Sequence, residues 1–256
     1  MGKIISLVNQ KGGVGKTTTC VNLAAYIANA GKKTLLIDMD PQGNASSGLG
    51  VVKNADLKTI YNVLDGEISM AEAVSPTMLK NLYIVPATVD LAGAEIELVQ
   101  VNNREKVLKN AIDTIKDDFD FIMVDCPPSL GLLTINSLSA SNTVLIPIQC
   151  EFYALEGLSQ LMNTVKLVKK HLNPELEIEG VVMTMKDNRS NLVQQVSEQI
   201  RQYFGKKVFE TTIPRNVRLA EAPSHGVPVY LYDKKCAGAN AYKEMADEFL
   251  KKNKGR

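Results

Sequence analysis

Residues 11–18, Lys11-Gly12-Gly13-Val14-Gly15-Lys16-Thr17-Thr18, combine two ammonium groups, three glycines and two hydroxyls. Glycines let successive backbone N–H groups turn towards one anion, lysine adds a point charge, and a threonine hydroxyl is a ligand for a hard divalent cation. The chemistry that needs all three at this spacing is the binding of a nucleotide's phosphates. Lys16 would reach the β- and γ-phosphates and Thr17 would ligate Mg²⁺, with the backbone of the loop wrapped round the phosphate chain. The common form, G-x-x-x-x-G-K-[ST], places glycine at position 10; here Gln10 stands there and a second lysine, Lys11, follows it. The plainer reading, an ordinary glycine-rich turn, accounts poorly for this run of residue types.

Three carboxylates stand in a related pattern. Asp38 and Asp40 follow the apolar run Thr34–Ile37, and Asp125 closes the run Phe121–Val124 before Cys126-Pro127-Pro128-Ser129. Carboxylates at strand ends lie at the carboxyl edge of a parallel sheet, on the same side as a phosphate loop. Of Asp38 and Asp40, one can hold a magnesium-bound water and the other can orient the attacking water. Asp125 ends its strand as a Walker B carboxylate does, in the outer sphere of the magnesium. Any one of them alone is more simply a helix cap or turn residue. Three beside this loop point to a single site.

The elements that must hold these residues are short β-branched runs alternating with helical segments. Strands are predicted at Ile4–Val8, Thr34–Ile37, Leu82–Val85, Phe121–Val124, Thr143–Ile148 and Gly180–Met183. Helices are predicted at Thr17–Ala30, stopped by Gly31, and at Glu105–Lys116, Gly131–Ala140, Leu155–His171, Leu192–Phe204 and Ala239–Lys252, with apolar residues three and four apart. The alternation predicts an α/β fold of P-loop NTPase type, a doubly wound, mostly parallel, twisted sheet flanked by helices on both faces. No repeat or Pro/Gly/Ser linker divides the chain, so residues 1–256 are expected to form one domain.

Composition bounds the function. With 45% apolar and 22% charged residues the chain is ordinary globular material. Lys plus Arg number 29 against 28 for Asp plus Glu, so any contact with nucleic acid must come from a local patch. The longest apolar run, Leu23–Ala28, is six residues, far short of a membrane span, and the polar Asn9-Gln10-Lys11 follows too soon for a signal peptide. The expected location is the cytoplasm, with no membrane partner. The cysteines, Cys20, Cys126, Cys150 and Cys236, are widely spaced and read as buried apolar residues. His171 and His225 adjoin no nucleophile motif and read as structural.

On four segments the chain resembles the ParA/Soj chromosome and plasmid partition ATPases, within the wider MinD and nitrogenase-iron-protein class of deviant Walker ATPases. These segments are K-G-G-V-G-K-T-T at 11–18, D-M-D-P-Q-G-N at 38–44, V-D-C-P-P-S at 124–129 and I-P-R-N at 213–216, and the resemblance runs end to end. It implies an ATP-sandwich homodimer in which Lys11 reaches the partner's phosphates. It further implies that Lys16 binds phosphate within its own chain and that Asp40 is the residue associated with hydrolysis. Thr17, Asp38 and Asp125 are the expected magnesium set. Pro214 and Asn216 read on their own either as a turn or as an adenine contact; the resemblance favours adenine. No N-K-x-D guanine signature appears, which also favours ATP.

Between Lys186 and Arg218 seven basic residues face three acidic ones, a local net of +4, and the tail adds Lys251, Lys252, Lys254 and Arg256. A stripe of this kind is commonly just a solvated face. The resemblance instead implies binding to double-stranded DNA without sequence preference, through Arg189 and Arg218, and a nucleoid-associated protein whose hydrolysis is stimulated by a ParB-type centromere-binding partner. Three other readings are weighed. A MinD-like division regulator would carry an apolar amphipathic helix where Lys251–Arg256 has no apolar residue. A nitrogenase-type reductase would need two bridging cysteines, and the contexts of Cys126 and Cys150 do not fit. A non-hydrolysing, nucleotide-gated DNA-binding module sits poorly with the presence of both Lys11 and Asp40.

Overall fold

In the computed structural model, which describes residues 2–187 and 189–254, seven strands form one sheet in the order β3-β4-β2-β5-β1-β6-β7. The strands are β1 Lys3–Leu7, β2 Thr34–Asp38, β3 Ser75–Pro76, β4 Leu82–Val85, β5 Phe121–Asp125, β6 Thr143–Gln149 and β7 Glu177–Thr184. All pair in parallel except the two-residue β3, which runs antiparallel to β4 at the edge. The helices are, in chain order, α1 Lys16–Asn29, α2 Asn44–Gly48, α3 Ile60–Leu64, α4 Met70–Ala73, α5 Leu91–Glu97, α6 Val107–Asp113, α7 Leu132–Ala140, α8 Ala154–His171, α9 Asn191–Phe204, α10 Val217–Glu221, α11 Val229–Tyr232 and α12 Ala237–Lys252.

The strands are apolar on both faces because both faces are covered. Ile4, Ile37 and Ile122 point into one core, beneath α3 to α9; their neighbours Ile5, Leu36 and Met123 point into the other, beneath α1 and α12. Alternation along each strand thus feeds two separate layers. Helix α1 is tied to α12, with Thr19 Oγ1 and the Tyr242 hydroxyl 3.0 Å apart and the Tyr26 hydroxyl donating to the Ala239 carbonyl at 2.8 Å.

All six predicted strands are present, with ends displaced by up to three residues. Most predicted helices are also found, but the one expected over Glu105–Lys116 is shorter: α6 holds Val107–Asp113, and the flanking residues 104–106 and 116–118 form tighter 3₁₀ turns. Between Asn44 and Glu97 the sequence pattern marks only β4, whereas the chain builds α2 to α5 and β3 there. Helices of four to seven residues complete one or two turns and leave no readable period. Arg256, counted in the basic tail, lies outside the described residues.

Strand β5 lies between β1 and β2, so the chain leaves β1 in one direction and returns on its other side at β6. That reversal opens a crevice at the carboxyl end of β1, where residues 11–18 follow. The same edge receives the ends of β2 and β5, with Asp38 in register with Asp125.

The β6–β7 pairing shifts register between Val144 and Leu145, which leaves Glu179 as the extra residue of a bulge, buried with Lys3 and Asn253. The next residue, Gly180, has no room for a side chain: a Cβ there would lie 2.5 Å from the Phe209 ring and 2.7 Å from the Lys207 carbonyl oxygen. Gly180→Ala is expected to cost about 1–3 kcal/mol, read by circular dichroism as a lower urea midpoint at unchanged slope.

Candidate active site

Three side chains fix the loop that links β1 to α1. Asn9 ties it to β6: its Nδ2 donates to the Pro147 carbonyl at 2.8 Å while its Oδ1 accepts the Lys11 N–H at 3.0 Å. Thr184, the last residue of β7, donates its hydroxyl to the Val14 carbonyl at 2.7 Å. Lys16 Nζ crosses the loop to the Lys11 carbonyl at 3.2 Å. Gly13 and Gly15 take positive φ angles of 73° and 83°, a backbone only glycine adopts readily. The first helical bond of α1 is Thr19 N–H to Gly15 carbonyl at 2.9 Å, so the N–H groups of Lys16, Thr17 and Thr18 have no partner within the helix and face the crevice. With no acidic residue in its first turn, α1 presents an uncompensated positive end to an anion.

A cavity of about 620 Å³ begins at this loop. It is lined by Gly12, Gly13, Gly15, Lys16, Thr17 and Thr18 of the loop, by Asp40 and Gln42, and by Ile213, Pro214, Asn216 and Tyr242. Residues 213–216 reach it because Lys186 pairs with Pro214 as a short parallel extension of β7. Asn216 is the N-cap of α10: its Oδ1 accepts the Arg218 N–H at 3.1 Å, so its amide NH₂ is the group left to donate into the cavity. Met185, a lining residue, has a φ of 49°; a left-handed methionine is a strained conformation of the sort found at binding sites.

The three aspartates differ sharply in environment. Asp38 Oδ2 accepts both the Ser46 N–H, at 2.8 Å, and the Ser46 hydroxyl, at 2.7 Å, and its Oδ1 accepts the Asp40 N–H at 3.2 Å. Burial nonetheless pushes Asp38 up to about 6, with the hydrogen bonds from Ser46 and Asp40 opposing. Asp40 is buried, lines the cavity, and accepts the Gln42 N–H at 3.0 Å. Asp125 is fully buried and, among the described residues, neither of its carboxylate oxygens has a partner at full hydrogen-bond geometry, although the Thr17 hydroxyl lies near enough to lower it. Burial first, and then the charge of Asp38 alongside, push Asp125 well above the usual carboxylate range. The Lys16 ammonium is lowered by its own burial against the pull of Asp125.

A buried carboxylate without a full hydrogen-bond partner beside a threonine hydroxyl is the donor set that suits a hard cation. Among the described residues no three His, Cys, Asp or Glu side chains cluster as a metal cage, so the remaining ligands of a Mg²⁺ ion would be phosphate oxygens and water. The residues fit that ion in company with a nucleotide, not alone.

The arginines expected on DNA are both exposed and both ion-paired. Arg189 grips Asp187 with Nε at 2.9 Å and Nη2 at 2.8 Å, and Arg215 lies close enough to lower Asp187 further. Arg218 meets Glu221 at 2.8 Å and Asp233 at 3.6 Å. His225 stacks on Tyr232 with ring centroids 4.9 Å apart, a structural use. Lys11 forms an ion pair with Glu151 in the loop after β6. Sequence reasoning missed Asn9, Ser46, Thr184, Tyr242 and Glu151; Thr184, Tyr242 and Glu151 act on residues more than a hundred positions away, while Asn9 and Ser46 also bond nearby residues but lie outside the motif patterns.

A glycine loop at the switch point of a parallel sheet, with aspartates closing the adjoining strands, defines a P-loop nucleotide-binding protein. A family model described as an AAA domain matches residues 2–178. The sporulation initiation inhibitor protein Soj of Bacillus subtilis is 57% identical over 97% of this chain and 98% of its own length. The chromosome partitioning protein ParA of Myxococcus xanthus is 54% identical over 99% of this chain and 89% of its own. This chain belongs to the Soj/ParA family of chromosome-partitioning proteins. Among solved structures, a cobyrinic acid a,c-diamide synthase from Mycobacterium smegmatis, with a bound ATP analogue and magnesium, superposes with a TM-score of 0.85 at 34% identity, covering 100% of this chain and 98% of that one.

Both Asp38 and Asp125 have folded pKa values above the ordinary carboxylate value. Each therefore costs stability once pH exceeds its folded pKa, and the cost fades as pH falls towards the ordinary value. Asp125→Asn is expected to raise the melting temperature of the nucleotide-free chain at pH 8, by roughly 2–4 °C for each kcal/mol relieved. The gain should shrink towards pH 4 in a calorimetric pH series.

Proposed function

We propose that the chain is an ATP-driven switch for DNA segregation, in which ATP joins two copies face to face and hydrolysis parts them. The observation that carries this reading is that one cavity is lined by the phosphate loop, Asp40, Pro214 and Asn216 together, groups suited to a triphosphate and to an adenine. Lys16 and the free N–H groups of α1 hold the phosphates, Pro214 lies against the base, and the Asn216 NH₂ donates to a ring nitrogen. Thr17 would ligate a magnesium ion directly, and Asp38 and Asp125 would hold it through its water ligands. When bound, the ion neutralises charge on the β- and γ-phosphates.

Asp40 is the remaining carboxylate on the cavity wall and orients the attacking water. Lys11 serves the other subunit, where a cation brought to the γ-phosphate stabilises charge as an arginine finger does. Loss of the γ-phosphate removes the anion both Lys11 side chains hold, and with it the energy difference that favours the dimer. The kinship with partitioning proteins supports two partners: double-stranded DNA, held through Arg189 and Arg218, and a ParB-type centromere-binding protein that speeds hydrolysis. A dimer doubles the basic surface and so couples nucleotide to DNA affinity. Among the described residues no helix is long and apolar enough to cross a membrane.

The test is DNA binding against salt with ATP, ADP and no nucleotide. Asp40→Ala should bind DNA with ATP and release no phosphate, and equal affinity in all three nucleotide states would overturn the switch. A Cβ on Gly12 would meet only open space in the single chain, and the residue has no positive φ. Gly12→Val should therefore fold and bind ATP yet sediment as a monomer, because the side chain fills space the second copy needs. Arg189→Glu should keep the ATP dimer and lose DNA in a gel shift by tenfold or more, since each removed phosphate contact lowers an affinity built from many.

A further inference from the structure

The backbone of Lys11 is pinned on both sides. Its N–H is held by Asn9 Oδ1 at 3.0 Å and its carbonyl by Lys16 Nζ at 3.2 Å. Asn9 in turn holds the Pro147 carbonyl of β6 at 2.8 Å, so the phosphate loop and the end of β6 keep a fixed separation. The turn that follows β6 is equally set, by the Glu151 N–H on the Gln149 carbonyl at 2.9 Å and the Ala154 N–H on the Glu151 carbonyl at 3.0 Å. What remains free to move is the lysine side chain, a flexible stem carrying one ammonium. That ammonium rests on the Glu151 carboxylate. The contact is open to water: Phe152 and Tyr153, next in sequence, are 72% and 68% exposed.

We infer that Glu151 is a positioning residue for Lys11, holding its ammonium within the single chain and so setting how much ATP is needed before a second copy can take it. This rests on the face-to-face dimer proposed above. A phosphate across the interface competes with Glu151 for the same ammonium, so each dimer formed draws on two Lys11–Glu151 pairs. A half-exposed pair is weak. It biases the exchange and does not lock it, which suits a residue that must let go in every cycle. A γ-phosphate outcompetes the carboxylate through its greater charge, whereas a diphosphate offers no anion at that place.

The test uses the full chain in an Asp40→Ala background, so that turnover does not blur the equilibrium. Light scattering across a magnesium–ATP titration should show Glu151→Gln dimerising at roughly two- to tenfold lower ATP than its parent, the gain from two weak pairs. Glu151→Asp, which keeps the charge on a shorter stem, should fall between them. In the nucleotide-free chain, Lys11 of Glu151→Gln should be acylated faster than in the parent, read by peptide mass spectrometry. An unchanged or higher midpoint, or unchanged acylation, overturns the inference while leaving the dimer standing. A parent that stays single at saturating ATP removes the dimer, and this inference with it.

Discussion

Two carboxylates, Asp38 and Asp125, end neighbouring strands in register with each other, inside a protein, with one of them lacking a partner at full hydrogen-bond geometry among the described residues. Burying like charges side by side is expensive, and the fold tolerates it only because other charges answer. Lys16 supplies one, drawn into the interior against its own desolvation. Ser46 supplies two hydrogen bonds to Asp38 and so anchors α2, whose own hydroxyl then accepts the Ala87 N–H at 2.9 Å. The remaining imbalance at Asp125 is one that a cation brought with a nucleotide would relieve.

The phosphate side of the site depends on the same use of fixed groups. Asn9 and Thr184 hold backbone atoms of the loop, so its N–H groups are preorganised and little ordering is left for the moment of binding. Lys11 is the exception, a mobile arm on a rigid mount. The arginines at the rim follow a similar logic at lower stakes. Arg189 and Arg218 each carry a carboxylate in the single chain, so under the proposed DNA-binding role a phosphate would have to displace Asp187 or Glu221. Under that role such exchange would keep the affinity of one chain low and make two chains acting together matter more.

The strands and the larger helices are legible because their signals are local: β-branched runs, apolar residues at helical spacing, Gly31 after the last turn of α1. The phosphate loop is legible because one stretch of chain must supply nearly all of its donors. The stretch between Asn44 and Glu97 is not, since α2 to α5 are too short to show a period and owe their existence to what they pack against. Pro214 and Asn216 read as either a turn or a base contact until the pairing of Lys186 with Pro214 carries them to the cavity wall.

By itself the sequence determined the class of chemistry, because residue type and spacing in 11–18 and the strand-end aspartates dictate which ligand they suit. Only the tertiary structure decided how those groups divide the work. It shows Asp38 satisfied by Ser46 and Asp125 left without a full partner, Asn216 split between a helix cap and a free amide, and Lys11 held by a carboxylate 140 positions away. Partnership and burial are properties of which strands lie side by side, and no linear pattern carries that information.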